Sequence, residues 1–371
     1  MSRRRVVVAG LGDSGVLTAI HLARHCEVVG ISVKPGLVSG QELGLRISRP
    51  DAWARDYRVD FERFRGLDRV RTIHGTLTGL DIGGQRVTIT DPDGSTAIED
   101  YDALVISTGV TNGFWRRPTV QTSADIDDEL RQAHDIVARA RSVIVVGGGA
   151  AAVSSAANIA ARWPRTRVDL YYPGERALPQ HHPRTWRRVG DRLDDLGVNR
   201  HPGYRALLPN GFECDRITGG VVRWTTGQMP AEADAVVWAI GRTRPNTDWL
   251  PAEILDGDGF VRVDSRLSVP GCPGVFAVGD VAATDRLRSS ARNRADRLVA
   301  HNVRAHLDGR RLKSYRPKDH RWGSVLGPQP DGLEVFAPTG YAFRFPAWSI
   351  DRVLQPWIVR RGIYHGVRDT H

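Results

Sequence analysis

Two short glycine-rich stretches have the residue types and spacing that suit a pyrophosphate. Both follow G-x-G-x-x-G or its variant ending in alanine, with Gly10, Gly12 and Gly15 in one and Gly147, Gly149 and Ala152 in the other. In such a turn the first glycine bends tightly, the second lets backbone approach the phosphates, and the third lets helix pack on strand. The free N–H groups at the helix start then face the anion. Because the pattern occurs twice, we expect two dinucleotide sites.

Each glycine turn needs a buried strand before it and a helix after it. Arg5–Ala9 is a short apolar run typical of a strand in a parallel sheet, Val16–Ala23 has helical spacing, and Glu27–Ile31 completes the unit. About 137 residues later the same order returns in Ser142–Val146, Val153–Ala160 and Arg167–Tyr172. This internal duplication predicts an α/β chain with two Rossmann-like domains.

Five features in a fixed order resemble a known family. They are the two glycine turns, Ser107–Gly109 at the end of a buried strand, Gly241–Asn246, and Val278–Asp280. The family is that of the pyridine nucleotide-disulfide oxidoreductases, flavoproteins with two dinucleotide-binding domains. The resemblance implies FAD in one domain and NAD(P)H in the other. It also implies an α/β fold in which each domain has a central parallel sheet plus a small antiparallel sheet.

The resemblance also implies which residues hold the two cofactors. FAD would be held at the first turn and at two later strand ends, by Gly10, Gly12, Asp13, Ser14, Gly15, Thr108, Gly109, Gly279 and Asp280. Asp280 would accept a hydrogen bond from the ribityl chain, and a helix over about 288–307 would point its positive end towards the flavin. NAD(P)H would be held by Gly147, Gly149, Ala150, Ala152 and Gly241. No side chain is assigned a catalytic role.

Two positions that usually carry an acid for an adenosine ribose lack one here. In the FAD unit the second strand ends at Ser32, with Lys34 two residues on. The serine hydroxyl would bond the ribose and the lysine would reach a phosphate. In the NAD(P) unit Glu175 and Arg176 follow the matching strand. Glu175 would serve a ribose diol and favour NADH, Arg176 would serve a 2′-phosphate and favour NADPH, and both stay open.

The cysteines narrow the choice of electron acceptor. Cys26, Cys214 and Cys272 form neither the Cys-x4-Cys nor the CxxC pair that disulfide-reducing relatives need. We therefore expect a non-thiol, small-molecule acceptor. Ser154 stands where many relatives have a glutamate, and a serine is no general base unaided.

Among relatives without the dithiol, the chain most resembles the group of type II NADH dehydrogenases, apoptosis-inducing-factor-like proteins and ferroptosis-suppressor-like quinone reductases. An FAD-dependent NAD(P)H oxidoreductase with a quinone-like acceptor is therefore the expected function. The alternatives are an NAD(P)H-responsive redox sensor that acts through interactions, and a flavin-dependent monooxygenase.

Charge and composition bear on partners and location. The net charge of +10 suggests nucleic acid at first, but the arginines are spread along the chain, so no nucleic-acid partner is expected. No apolar run approaches the roughly 18 residues of a membrane span. Few scattered cysteines predict a cytoplasmic protein, and without Cys/His ligand spacing no metal site is predicted.

The remaining expectations concern organisation. Residues 1–120 and 246–325 would form the FAD-binding domain in two parts, 121–245 the NAD(P)-binding domain, and 326–371 a short C-terminal segment. Val70–Ile73 and Arg86–Thr90 flank turn signals and predict a small antiparallel sheet. The aromatic and arginine-rich C-terminal segment is open to two interpretations, peripheral contact with a membrane or packing on the FAD domain or on a second subunit of a homodimer.

Overall fold

A computed structural model describes residues 4–113, 116–241, 243–284, 294–316 and 322–369. The strands in chain order are β1 (Arg5–Ala9), β2 (Glu27–Ser32), β3 (Gly36–Val38), β4 (Arg58–Asp60), β5 (Val70–His74), β6 (Thr76–Asp81), β7 (Arg86–Thr90), β8 (Thr96–Asp100), β9 (Ala103–Ile106), β10 (Val110–Thr111), β11 (Ser142–Val146), β12 (Arg167–Tyr172), β13 (Asn199–Pro202), β14 (Ala206–Leu207), β15 (Thr218–Trp224), β16 (Ala231–Trp238), β17 (Arg244–Pro245), β18 (Val261–Arg262), β19 (Val275–Ala277), β20 (Ala282–Ala283), β21 (Pro328–Gln329), β22 (Gly332–Phe336) and β23 (Ala342–Phe345).

The helices are α1 (Asp13–Leu22), α2 (Leu43–Ser48), α3 (Pro50–Tyr57), α4 (Ser123–Arg139), α5 (Ala150–Arg162), α6 (Pro183–Asp195), α7 (Ala295–Leu307) and α8 (Ala347–Ser349). A π-helix, Ile350–Ile363, continues from α8, and short 3₁₀ turns lie at Phe61–Arg63, Arg65–Leu67 and Ala252–Ile254.

The first sheet has five parallel strands in the order β19-β9-β1-β2-β5. Its central strand β1 is almost wholly apolar and buried because both of its faces are covered. Val6 and Val8 face the helices α1 and α7, whereas Val7 and Ala9 face a core shared with β7. Because the glycine turn directly follows β1, it lies at the edge of the sheet where the parallel strands end.

One predicted strand belongs to a different sheet from the one expected. Val70–His74 (β5) is a parallel edge strand of the first sheet, with Val70 opposite Val28 of β2. The small antiparallel sheet consists of β6, β7 and β8 instead. An edge strand of a parallel sheet is covered less completely, so its polar and apolar alternation resembles that of an antiparallel strand.

The second sheet has six strands in the order β13-β12-β11-β16-β15-β14. The strands β13, β12, β11 and β16 run parallel, and β15 and β14 extend the sheet in antiparallel pairs. Helices α4, α5 and α6 share one core on this sheet. The repeated unit and the α/β fold class with two dinucleotide-binding sheets are therefore confirmed.

Two short strands pair where the chain leaves the first sheet and returns to it. β10 and β17 are antiparallel, with Val110 opposite Pro245. Asn246 holds this junction, since its Nδ2 donates to the Thr108 carbonyl at 3.0 Å and its Oδ1 accepts from Thr111 Oγ1 at 2.7 Å. The division of the chain at 120, 245 and 325 remains a prediction.

The C-terminal segment contacts both sheets' cores. Phe336 belongs to the core of the second sheet and Tyr364 to the core under α1 and α7. Trp348 and Trp357 are exposed, with Arg361 over the Trp357 ring. Contact of this segment with a membrane or a second subunit stays a prediction.

Across the parts of the chain that the structure describes, no helix combines the length and the apolar character needed to cross a membrane.

Candidate functional site

The carboxyl ends of the parallel strands of both sheets face one cleft of about 870 Å³. Most of the residues predicted to hold the cofactors line it, namely Gly10, Gly12, Asp13, Ser14, Ser32, Lys34, Thr108, Gly109, Gly149, Ala150, Gly241, Gly279 and Asp280. The residues Gly15, Gly147, Ala152, Glu175 and Arg176 are not part of the lining. The fold thus brings both glycine turns to a single cavity.

The first glycine turn has the three features that a pyrophosphate cradle requires. Gly10 has a φ of +99°, and a Cβ added there would lie 2.5 Å from the Ser107 carbonyl oxygen. A Cβ at Gly15 would lie 1.9 Å from the Gly10 carbonyl oxygen, so only a glycine at this position lets the helix pack this close to the turn. At Gly12 an added Cβ meets nothing within 4 Å, because this position faces the open cleft. The middle glycine therefore leaves its backbone accessible to a ligand.

The second glycine turn repeats this geometry. Gly147 has a φ of +142°, and a Cβ there would lie 2.0 Å from the Ala239 carbonyl oxygen. Gly149 again faces open space, with nothing within 4 Å of an added Cβ. Ala152 is fully buried, so its methyl group fills the helix-to-strand contact that Gly15 makes in the first unit.

Both helices that follow the turns begin without a side-chain cap. Gly12 is the N-cap of α1 and Gly149 that of α5, and neither helix start is closed by a side-chain hydrogen bond. The first N–H groups of each helix are thus available to an anion, and the helix dipole favours one there. The donors and the open glycines together fit the pyrophosphate of a dinucleotide at each turn.

Polar side chains surround and stiffen the first turn. Asp13 Oδ1 accepts from Ser39 Oγ at 2.7 Å, and its Oδ2 accepts from the Gly40 N–H at 3.0 Å. Ser107 Oγ donates to the Gly10 carbonyl at 2.7 Å. The loop after β3 is therefore tied to the start of α1 across the cleft wall. Sequence reasoning selected Asp13 but not the two residues that fix its carboxylate.

The carboxylate of Asp280 lies in an ion pair with Arg116, which the sequence did not single out. Burial lowers the pKa of Arg116, but the charges of Asp280 and Asp13 outweigh it and raise this pKa overall. Gly279 has a φ of +83°, and a Cβ there would lie 3.2 Å from Ser14 Oγ. The pair places an acidic side chain in the cleft, and the contact of Asp280 with the ribityl chain stays a prediction.

Only part of the predicted helix after Asp280 can be compared with the structure. The described helix α7 begins at Ala295, and residues 285–293 lie outside the described residues.

The ribose position of the FAD unit is polar, although it lacks an acid. Ser32 lies at the end of β2 and its Oγ accepts from the Lys34 N–H at 3.1 Å. Lys34 Nζ donates to the Thr119 carbonyl at 2.8 Å and to Gln121 Oε1. Burial lowers the pKa of Lys34 to about 8, despite the opposing charge of Glu129. The lysine is thus a cation at the cleft wall that loses its proton at a lower pH than an exposed lysine does.

Glu175 and Arg176 follow β12 and lie outside the cleft lining. Arg176 donates to the carbonyl oxygens of His181 at 3.2 Å and Pro179 at 3.4 Å. The Leu178 N–H, in the same loop, donates to the Gly148 carbonyl at 2.7 Å. This loop therefore packs on the glycine turn, which puts Arg176 near the turn while its guanidinium braces the loop.

Residues just before the C-terminal segment complete the cleft beside α5, which sequence reasoning missed. Ser324 and Val325 line the cleft. The Leu326 carbonyl accepts from Asn158 Nδ2 at 2.8 Å, from Gln329 Nε2 at 3.1 Å and from Ser154 Oγ at 3.4 Å. Ser154 is buried and also lines the cleft. At the position where many relatives have a glutamate, this wall of the cleft therefore has the neutral Ser154 hydroxyl, which donates to the Leu326 carbonyl.

The three cysteines are buried, and none of them is in a disulfide bond. Cys26 belongs to the core with α1 and α7, Cys272 to the core on the other face of the first sheet, and Cys214 to a core of the second sheet. None of them lines the cleft. The sequence-based exclusion of a dithiol relay therefore has a spatial basis.

In the described ranges, no group of three or more His, Cys, Asp or Glu side chains is arranged to hold a metal ion.

The comparisons with known proteins agree with this geometry. The family model for pyridine nucleotide-disulphide oxidoreductases matches residues 4–305. Ferroptosis suppressor protein 1 of Xenopus tropicalis is 27% identical over 329 residues, which cover 84% of this chain and 83% of that protein. A type II NADH:quinone oxidoreductase of Mycobacterium tuberculosis is 27% identical over 361 residues, covering 83% of this chain and 73% of the relative.

Among solved structures, the reduced CoADR-RHD of Bacillus anthracis superposes with a TM-score of 0.68 at 19% identity, covering 90% of this chain and 61% of that one. The resemblance inferred from the sequence is confirmed, and with it FAD and NAD(P)H as the cofactors. By its match over most of its length, this chain belongs to the pyridine nucleotide-disulphide oxidoreductase family.

Proposed function

We propose that this NAD(P)H-dependent flavoprotein passes two electrons to a small, non-thiol acceptor, and that the acceptor is quinone-like. The observation that carries the proposal is the separation of Cys26, Cys214 and Cys272 into three different cores away from the cleft. A thiol relay requires two cysteines whose sulfur atoms reach each other and the flavin. With no such pair in the chain, electrons leave the cofactor directly for a molecule that enters the cleft.

The chain's own residues bind and orient the cofactors. Bound FAD supplies the acceptance of hydride from NAD(P)H and the release of two electrons. Gly12 and Gly149 open their backbones to the same cleft, so two dinucleotides anchored there would extend towards each other. Ser154 gives the wall beside α5 a neutral hydroxyl, which suits hydride transfer because that step needs no general base.

A quinone-like acceptor is supported by the class of relative found. The Mycobacterium tuberculosis relative is described as an NADH:quinone oxidoreductase. The cleft also fits, since it has apolar lining residues such as Leu43, Val325 and Trp249 beside its polar ones. An apolar planar acceptor would be accommodated on these side chains.

The test begins with an anaerobic titration of the FAD-loaded protein by NADH and by NADPH, followed through the visible flavin spectrum. Water-soluble quinones, ferricyanide, a disulfide and O₂ are then supplied in turn. We expect bleaching at one equivalent and turnover of about 1 per second or faster with a quinone. Rapid disulfide reduction would overturn the proposal.

Single cysteine variants test whether any thiol takes part in turnover, independently of which acceptor is reduced. Cys26→Ala, Cys214→Ala and Cys272→Ala should each retain the quinone rate once the folded fraction is corrected for. Loss of turnover in a well-folded variant would show a thiol step. A long-lived reduced protein that reoxidises slowly with every acceptor would identify a redox sensor instead, and an oxygenated organic product would identify a monooxygenase.

A further inference from the structure

A second, smaller pocket of about 380 Å³ lies beside α1 and α7, the helices that pack together on the first sheet. It is formed by the side chains of α1, the residues just after it, α7 and the C-terminal tail, and its lining is Ile20, His21, Arg24, His25, Arg297, Ala300, Arg304 and His365. None of these residues lines the cofactor cleft. The pocket is therefore separate from the site described above.

Helix packing explains why several basic side chains meet there. His21 lies in the last turn of α1, Arg24 follows just after α1 ends at Leu22, and Arg297 and Arg304 are seven residues apart on α7. The seven-residue spacing keeps Arg297 and Arg304 on one face of their helix. Because α1 and α7 pack side by side in one core, the end of α1 and this basic face of α7 border the same groove. His365 closes the groove from the tail.

The electrostatics of this groove are strongly one-sided. Among its described lining residues none is acidic. Asp296 is buried and lies beside His21, with an Oδ2–Nε2 distance of 3.0 Å. It holds the His21 imidazole in place.

We propose that this pocket binds a phosphate-bearing anion with more than one negative charge, such as a diphosphate group. Its volume lies in the range of small-ligand pockets. Arginine forks recognise phosphate oxygens in pairs, and imidazoles add further donors. Like charges held together repel each other, and a bound polyanion removes that repulsion. A divalent cation would be repelled by the same arginine and histidine side chains and is not the occupant.

The test uses the FAD-loaded protein saturated with NAD⁺, so that the known phosphate sites are filled. Inorganic pyrophosphate is titrated by isothermal calorimetry at fixed ionic strength into three proteins. These are the natural chain, Arg297→Gln/Arg304→Gln, and the control Arg131→Gln/Arg139→Gln, which removes two charges from the exposed face of α4. We expect saturable binding that weakens at least about tenfold in the first double variant only.

Equal affinity in both double variants, or no saturable binding to the natural chain, would overturn the proposal. The same proteins also distinguish the source of the phosphate. Sedimentation with vesicles of phosphatidylglycerol, compared with phosphatidylcholine, that depends on Arg297 and Arg304 would identify a lipid headgroup. Pyrophosphate binding without vesicle binding would identify a free phosphorylated molecule, and both results support the pocket.

Proton uptake gives a second measurement that a merely structural role would not produce. Burial lowers the pKa of His365, and His21, Arg24 and Arg297 lower it further, against the weaker opposing charge of Asp296. An anion stabilises the protonated imidazole, so binding should take up a proton and strengthen as pH falls. Calorimetry in two buffers of different ionisation enthalpy measures this uptake. His365→Asn should reduce it, and uptake unchanged in that variant would contradict the site's geometry.

Discussion

The two glycine turns have nearly the same backbone shape but different surroundings. At the first turn the carboxylate of Asp13 accepts from Ser39 and from the backbone of Gly40, so a neighbouring loop is tied to the start of the helix. At the second turn α5 begins with Ala150 and Ala151, whose side chains form no hydrogen bonds. Both turns leave a glycine open to the cleft, but the first is fixed by polar side-chain contacts and the second is flanked by alanine side chains.

We propose that this difference separates a resident cofactor at the first turn from an exchanging one at the second. The first turn shares its cleft wall with Lys34 and with the Arg116–Asp280 pair, which add charged contacts for a ligand that stays bound. The residues that would read the second ligand, Glu175 and Arg176, lie outside the lining and at a loop. Fewer fixed polar contacts permit faster release, as a cosubstrate requires. The following predictions test that comparison.

The largest effects should come from the two glycines that face the cleft. Gly12→Val and Gly149→Val both place a side chain where an added Cβ meets nothing, and both φ values, −77° and −88°, suit valine. The chain should therefore fold, while backbone approach to the phosphates is blocked. Gly12→Val should weaken FAD binding by about 100-fold or more, and Gly149→Val should keep FAD but weaken NAD(P)H by a similar factor.

Flavin content after gel filtration and anaerobic reduction rates measure these two effects separately. Gly12→Ala and Gly149→Ala are the matched controls, because a methyl group intrudes less and should produce a smaller change. If Gly149→Val lost FAD while Gly12→Val retained it, the assignment of the two turns would be reversed.

The features that could be predicted from the sequence are those that depend on local backbone shape, namely the glycine turns and the buried strands before them. The duplicated strand-turn-helix pattern predicted which glycines bend the chain and which face the cleft, because a side chain at a bending glycine would have a strained φ or collide with backbone. Gly10 and Gly147 illustrate this, each with an added Cβ within 2.5 Å of a carbonyl oxygen from another strand end. Buried apolar runs likewise specified the strands β1 and β11.

Contacts between distant segments could not be predicted in the same way. Arg116 pairs with Asp280, 164 positions away, and Asn158 donates to Leu326, 168 positions away. Neither pair has a local signal, because an arginine or an asparagine is equally compatible with a solvated surface position. The misplaced strand Val70–His74 has the same cause, since its partner is decided by the sheet and not by its own alternation.

A smaller effect is expected at the loop that follows β12. If Arg176 reads a 2′-phosphate, Arg176→Ala should raise KM for NADPH about tenfold and leave KM for NADH unchanged. Arg176→Lys keeps the charge while losing the paired donors to His181 and Pro179, so it should recover part of the NADPH affinity. Equal changes for both nucleotides would show that Arg176 acts only by bracing the loop. The effect of Glu175→Gln on KM for NADH would then be the measurement to make.

The smallest effect is a pH dependence of FAD binding that comes from Lys34. Burial lowers its pKa to about 8 from the ordinary 10.5, so the free site loses this cation above pH 8. An anionic cofactor favours the charged amine, so FAD affinity should be constant well below pH 8 and fall about fivefold from pH 7 to pH 9. Lys34→Gln should flatten this profile. Fluorescence quenching of FAD on binding provides the measurement.

The stability of the cofactor-free protein should change in the opposite direction over that range, which separates binding from folding. Between pH 8 and 10.5 the unfolded chain holds the Lys34 proton that the folded chain has lost. The burial cost of the charged amine is present below pH 8 and disappears as pH rises, so this residue's contribution to the unfolding free energy increases. Denaturant titrations of the natural chain and Lys34→Gln at pH 7 and pH 9 measure it. Parallel losses of affinity and stability with rising pH would mean that the site is unfolding, and that Lys34 is not the cause.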